Sequence, residues 1–270
     1  MIHFPIILPQ INPNLISYGH FVIRYYSLAY IISILAAWFL LWRFNKKTPL
    51  LSAEALDSWL SWAVLGIVFG GRIGYVLFYN LEYYLQNPLQ IMAIWRGGMS
   101  FHGGLIGGTF SMFLFCKKYK IEFLKLMDLH AALVPIGLFL GRIANFINME
   151  LYGRPTGNNF GVIFPNVDNL PRHPSQLYEA GLEGLLLFLI LFPLANIEKL
   201  RARSGLICGL FLILYNIERI FIEQFRQPDE QIGLLFNHSI TMGQALSIPL
   251  LLLGLIVFCN SFLRKINLKE

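Results

Sequence analysis

Eight arginines carry the chemical promise of this sequence: Arg24, Arg72, Arg96, Arg142, Arg154, Arg172, Arg219 and Arg226. Each lies in an apolar run or in a loop beside one, where a charged side chain costs at least ~2.5 kcal/mol to insert in a bilayer. Arginine offers a planar fork of donors suited to phosphate or carboxylate, whereas lysine does not. Arg142, Asn145 and Met149 fall at i, i+3 and i+7, so Arg142 and Asn145 share a helix face. Glu150 follows one turn on, with Gly153 in the turn beyond. Arg142 and Glu150 could simply neutralise each other across a bundle, but Asn145 and Asn148 add polar groups that such a pair does not need.

A second set repeats the theme. Tyr215, Arg219, Glu223 and Arg226 fall at i, i+4, i+8 and i+11, a polar stripe on one helix face. An Arg219–Glu223 pair is worth a few tenths of a kcal/mol in water. It leaves Arg219 with donors for a facing helix or a bound anion. Glu218 points about 100° away from Arg219 on an α-helix and is not its obvious partner. His102 opens another apolar run and reads equally as a structural histidine or as a base. Tyr25 and Tyr26 follow Arg24 at the start of the first run, where tyrosines usually form an interfacial belt.

The elements that must position these groups are long apolar helices. Only 13% of the residues are charged and 56% are hydrophobic, against roughly 25% charged in soluble domains. A bilayer's hydrocarbon core of about 30 Å calls for roughly 20 apolar residues per helix. Seven such segments stand near 21–42, 58–79, 98–116, 126–147, 177–196, 204–223 and 240–263. The expected fold is an all-α polytopic membrane protein, a single membrane-embedded domain over 1–270. The first positive charge is Arg24, so the N-terminus does not read as a cleaved signal and the first segment is expected to be a retained span.

Lysine sets the orientation. All nine lysines cluster with Arg43, Arg201, Arg203 and Arg264 after the first, third, fifth and seventh segments. Basic loops of this kind stay in the cytoplasm, which puts the N-terminus outside and the C-terminus inside. The eight arginines then all fall in the outer half of the membrane or in external loops, at the depth of a lipid phosphate. Residues 149–175, broken by Gly153, Pro155, Gly157, Gly161, Pro165, Pro171 and Pro174, read as a small external head. Gly66, Gly70 and Gly74, with Gly103/Gly107 and Gly104/Gly108, are spaced for close helix packing.

The same distribution argues against nucleic-acid binding despite a net charge of +6, because the basic residues sit in short topological clusters. Cys116, Cys208 and Cys259 form neither a disulfide framework nor a metal spacing, and the six histidines are scattered. No metal site is expected.

Gly141 through Gly153 reads GRIANFINMELYG and matches the pattern G-R-x-[GA]-N-F-x-N-x-E-x-x-G at every fixed position. In this the chain resembles the prolipoprotein diacylglyceryl transferases. The resemblance extends to His102-Gly103-Gly104-Leu105, to His173-Pro174-Ser175-Gln176-Leu177-Tyr178-Glu179, and from Tyr215 through Arg219 and Glu223 to Asp229. Glu218 departs from the family, which would place a neutral residue there. The resemblance implies transfer of the diacylglyceryl group of phosphatidylglycerol to the lipobox cysteine thiol of a preprolipoprotein. A thioether and glycerol phosphate result, in the bacterial cytoplasmic (inner) membrane, with no metal or organic cofactor. Matched to that chemistry, His102, Arg142 and Arg219 are the expected catalytic residues. Tyr26, Asn145, Glu150, Gly153 and Tyr215 are the expected substrate-binding residues, with Gly153 allowing a tight turn.

Two other classes compete. An anion or headgroup transporter would use intramembrane arginines too, but alternating access calls for polar groups toward both faces, and the inner halves of the first, fifth and seventh segments have almost none. An alcohol phosphatidyltransferase would want clustered aspartates, and Asp57, Asp128, Asp168 and Asp229 are far apart in sequence.

Overall fold

The structure, a computed structural model, describes residues 5–12, 14–18, 21–228, 234–235 and 240–263. Asp229, Arg264, Lys265, Lys269 and the side chain of Arg24 lie outside the described residues.

Among the described residues seven long helices dominate: α1 (Tyr25–Lys47), α2 (Ala53–Tyr79), α3 (Phe101–Tyr119), α4 (Phe123–Ile147), α5 (Ser175–Asn196), α6 (Leu206–Ile222) and α7 (Met242–Leu263). Of these, α1, α2, α4, α5 and α7 are long and apolar enough to cross a membrane. Their large apolar side chains stay exposed, among them Ile31 and Leu35 on α1, Leu189 on α5 and Leu252 and Ile256 on α7. In water such continuous apolar faces would have to be covered; in a bilayer they meet lipid. The chain is a polytopic helical membrane protein. Helix α6 has 17 residues, about 26 Å at 1.5 Å per residue, short of a full hydrocarbon crossing.

The fold is not purely helical. Asn14–Tyr18 (β2) pairs antiparallel with Phe21–Arg24 (β3). The first helix therefore begins at Tyr25 rather than near residue 21, since Phe-Val-Ile at 21–23 has the β-branched and aromatic character that favours a strand. Ile6–Ile7 (β1) pairs in parallel with Val162–Ile163 (β4).

The chain forms two compact units, residues 42–126 and residues 1–41 with 127–270. In the 42–126 unit, Ser52 caps α2 and Ser100 caps α3, each accepting from the backbone N–H three residues on. Helices α2 and α3 pack backbone to backbone. A Cβ on Gly70 would meet the Gly103 carbonyl and the Gly107 Cα, and one on Gly74 would come within 2.7 Å of the Gly103 Cα. Gly103 and Gly107 make this contact, whereas Gly104 has ordinary clearance, its nearest neighbour at 3.5 Å. Arg72, 3% exposed, donates to the carbonyls of Gln90, Ile91, Ala93, Gly97 and Gly98. Its charge is answered by backbone dipoles rather than by a phosphate or carboxylate.

In the other unit, α6 and α7 approach through Gly209, whose Cβ would lie 2.6 Å from the Phe258 nitrogen, and Gly254, whose Cβ would lie 2.8 Å from Leu212 Cβ. The buried Asp128 carboxylate on α4 accepts from Gly205 N at 2.7 Å and Cys208 N at 2.8 Å. It thereby satisfies donors at the start of α6 that have no partner inside the helix. Between α4 and α5 the chain folds over a small core of Leu8, Met149, Val162 and Phe164.

Candidate active site

The feature that organises the site is local. Helix α5 opens into a π-helical turn over Ala180–Leu186, a widening found frequently at functional sites. Glu179 and Glu183 flank its start, four residues apart, and both are fully buried. Gly184 makes the turn possible beside α4, because any Cβ there would lie 2.6–2.8 Å from the Phe139 backbone and Cβ.

Three arginines from other segments converge on these carboxylates. Arg142 on α4 places Nε 3.2 Å from Glu179 Oε2 and Nη2 3.3 Å from Glu183 Oε2. Arg219 on α6 places Nη1 2.6 Å from Glu179 Oε1 and 3.5 Å from Glu183 Oε1, with Nη2 3.1 Å from Glu223 Oε2. Arg226 places Nη1 2.7 Å from Glu179 Oε1 and Nε 3.5 Å from Glu223 Oε2. Glu179 thus serves all three guanidiniums, and three positive charges balance three negative ones. Removing one member would leave a buried charge uncompensated. The Arg142 and Arg219 side chains keep 17% and 14% of their surface open. Nη1 of Arg142 and Nε of Arg219 take part in none of these ion pairs, so each guanidinium keeps one nitrogen outside the cluster.

Arg142, Arg219 and Tyr215 come together: Tyr215 lies in electrostatic reach of Glu183, Arg219 and Arg142 and stacks on Phe211. Asn145 is buried one turn from Arg142. Tyr26 packs its ring 5.1 Å from that of Tyr30 on α1, and Tyr30 lies in electrostatic reach of Arg142. His102 stands in the 42–126 unit, exposed on the first turn of α3.

The partners of Arg142 are Glu179 and Glu183 rather than Glu150, which is exposed and lends its carbonyl to Gln176 Nε2 at 2.7 Å. Gly153 serves close approach rather than the tightness of the turn. The positive φ angles there belong to Met149 (57°) and Leu151 (55°). At Gly153 two other backbones press in: a Cβ would meet the His173 carbonyl and lie 2.7 Å from the Phe225 oxygen.

Around Gly153 the remaining arginines are structural. Arg172 binds Asp168 through Nη2 at 2.6 Å and the Gly153 carbonyl through Nη1 at 3.0 Å, and it holds the Asp168 carboxyl below its ordinary value. Arg154 Nε donates to the Arg226 carbonyl at 2.7 Å. His173 lies 3.3 Å from the Tyr178 hydroxyl, and burial pushes its imidazole below the usual value. Beside the cluster, Leu177, Tyr178, Leu182, Phe221 and Phe225 help line an apolar groove of about 420 Å³.

Sequence reasoning gave Glu179 no role and overlooked Glu183. The available signal was a pair of carboxylates at i and i+4 inside an apolar run, which demands cationic partners.

Known proteins resemble this chain over nearly all its length. The family model described as prolipoprotein diacylglyceryl transferase matches residues 13–260. A protein of Rickettsia canadensis (strain McKiel), named phosphatidylglycerol–prolipoprotein diacylglyceryl transferase, is 52% identical over 259 residues, 96% of this chain and 100% of its own. Its namesake in Rickettsia conorii is 52% identical over 254 residues, 94% of this chain and 98% of its own. That of Rickettsia akari is 51% identical with the same coverage.

Proposed function

Because the chain belongs to the prolipoprotein diacylglyceryl transferase family, we propose that it transfers the diacylglyceryl group of phosphatidylglycerol to the lipobox cysteine thiol of a preprolipoprotein. The products are a thioether and glycerol phosphate, and the reaction is the first step of lipoprotein maturation. The observation that carries this reading is the convergence of two partly open arginines, Arg142 and Arg219, on Glu179.

The chemistry follows from those forks. The nucleophile is the substrate's thiol, of which only about 3% is thiolate at pH 7 in its unperturbed state. His102 is the proposed base for its proton. As the glyceryl C–O bond breaks, negative charge gathers on the phosphate, and donors already fixed in place stabilise it without reorganising. Arg142 and Arg219 supply those donors. Asn145, Tyr26, Tyr215 and Glu150 orient the headgroup, and Gly153 keeps the segment after α4 seated. The apolar groove beside the cluster offers a surface of the kind an acyl chain requires.

In this reading residues 1–270 are one catalytic domain in the bacterial inner membrane, crossing it seven times with the N-terminus outside and the C-terminus cytoplasmic. Residues 149–175 form an external head, and the site faces the outer leaflet. The lysine distribution supports this orientation.

The test is mass spectrometry of a synthetic lipobox peptide incubated with purified protein and phosphatidylglycerol in detergent. A thioether diacylglyceryl adduct is expected, absent with Arg142→Ala and with a Cys→Ser peptide. Folded protein that yields no adduct would overturn the reading.

A further inference from the structure

We propose that Glu183 is an internal stand-in for the lipid phosphate, bridging Arg142 and Arg219 in the free protein and yielding that place, with uptake of one proton, when the lipid binds. This rests on the functional reading above.

The argument begins with charge. Arg142, Arg219 and Arg226 are matched by Glu179, Glu183 and Glu223. A phosphodiester adds one negative charge to a balanced cluster sheltered from water, where uncompensated charge is strongly disfavoured. Either a carboxylate leaves or one becomes neutral. Glu179 and Glu183 are fully buried, so neutralisation is the accessible course.

Distance decides which carboxylate yields. Charge-assisted N–H···O contacts run to about 2.7–2.9 Å. Glu179 makes two this short or shorter, at 2.6 and 2.7 Å, and a third at 3.2 Å. Glu223 holds Arg219 at 3.1 Å and Arg226 at 3.5 Å and lies close beside Gly243, where an added Cβ would come within 2.8 Å of its carboxyl carbon. Glu183 makes only long contacts, 3.3 Å to Arg142 and 3.5 Å to Arg219. Yet its two oxygens reach two different guanidiniums, as the two non-bridging oxygens of a phosphodiester would. It has the right shape, and its nearest guanidinium contact is the longest of the three carboxylates.

The groups facing Glu183 from every side favour this exchange. Arg142 faces it from α4, and Arg219, Tyr215 and Glu218 from α6, while Glu179 lies on its own helix. Tyr30 of α1 faces Arg142 behind them. With the Glu179 and Glu218 carboxyl groups both near, an incoming anion at this spot is repelled locally, and a proton relieves the repulsion. The step balances simply: carboxylate, one proton from water and the lipid monoanion become carboxylic acid and bound lipid.

The experiment titrates purified full-length protein in detergent with short-chain phosphatidylglycerol, on both sides of neutral pH. For the wild type, Kd should fall by up to about tenfold for each unit drop in pH. Glu183→Gln, a neutral mimic of the protonated acid, should bind more tightly than wild type at neutral pH and with a flatter pH dependence. A merely structural Glu183 would give the opposite, weaker binding with the pH slope unchanged, and would overturn the proposal. Should the variant fail to fold, a wild-type Kd flat in pH overturns it equally. Wild type that binds no phosphatidylglycerol at any pH would instead bring down the functional reading itself.

Discussion

Arg219 Nη1 lies 2.6 Å from Glu179 Oε1, an ion pair between residues 40 apart in the chain. The same oxygen receives Arg226 Nη1 at 2.7 Å. One carboxylate thus fixes α5, α6 and the segment after α6 against each other, and through its second oxygen it also holds Arg142.

Glu179→Gln should therefore damage both structure and turnover. Breaking one side of a buried ion pair costs about 3–5 kcal/mol, and here three guanidiniums lose the negative charge they share and one of its two acceptor oxygens. A clear fall in the thermal unfolding midpoint in detergent is expected, together with loss of adduct formation. An unchanged midpoint would show that the cluster does not hold the helices.

Lysine should not replace either central arginine. Arg142 and Arg219 each reach two carboxylates with separate nitrogens, which a single ammonium cannot do while also facing a phosphate. Arg142→Lys and Arg219→Lys are expected to lower turnover by about 10²–10³-fold. Full turnover from Arg142→Lys would remove the need for a fork.

Two glycines of one motif should behave oppositely. Gly153→Ala drives a Cβ into the His173 carbonyl and against Phe225, and overpacking of this kind costs about 1–3 kcal/mol. Gly141→Ala meets nothing within 4 Å and should leave stability level or raise it by up to about 1 kcal/mol, as alanine suits a helix interior. Unfolding of the two variants side by side decides the matter.

The Asp168–Arg172 pair should make a small, pH-dependent contribution. The folded carboxyl titrates below its unfolded value near 3.9, so the stabilisation is present above that value and is lost as pH falls through the folded one. Asp168 is partly exposed, which keeps the pair within about 1 kcal/mol. Asp168→Asn should unfold more easily than wild type near neutral pH, and the difference should vanish in strong acid.

The sequence by itself determined the class of protein and the approximate placing of its long helices, and it singled out candidate residues for the chemistry. Charge scarcity, apolar run lengths and lysine clustering are local properties, legible because a bilayer constrains each segment separately. Spacing alone put Arg142 with Asn145 and Arg219 with Glu223 on shared faces, and the Arg219–Glu223 contact is present. The glycine spacings of α2 and α3 also pointed to close packing, though sequence could not choose Gly103/Gly107 over Gly104/Gly108.

Tertiary structure decided who answers each charge. Arg142 turns to Glu179 and Glu183 rather than Glu150, because a π-helical turn brings those carboxylates to α4 and α6, and no helical periodicity announces such a turn. Arg72 is met by five backbone carbonyls, a partner invisible in side-chain identities. Gly153 is required by the strands of chain that pass it, His173 and Phe225, rather than by its own φ. An ion pair, a carbonyl cage and a backbone crossing each depend on distance between remote residues, and sequence spacing carries that distance only within a single helix.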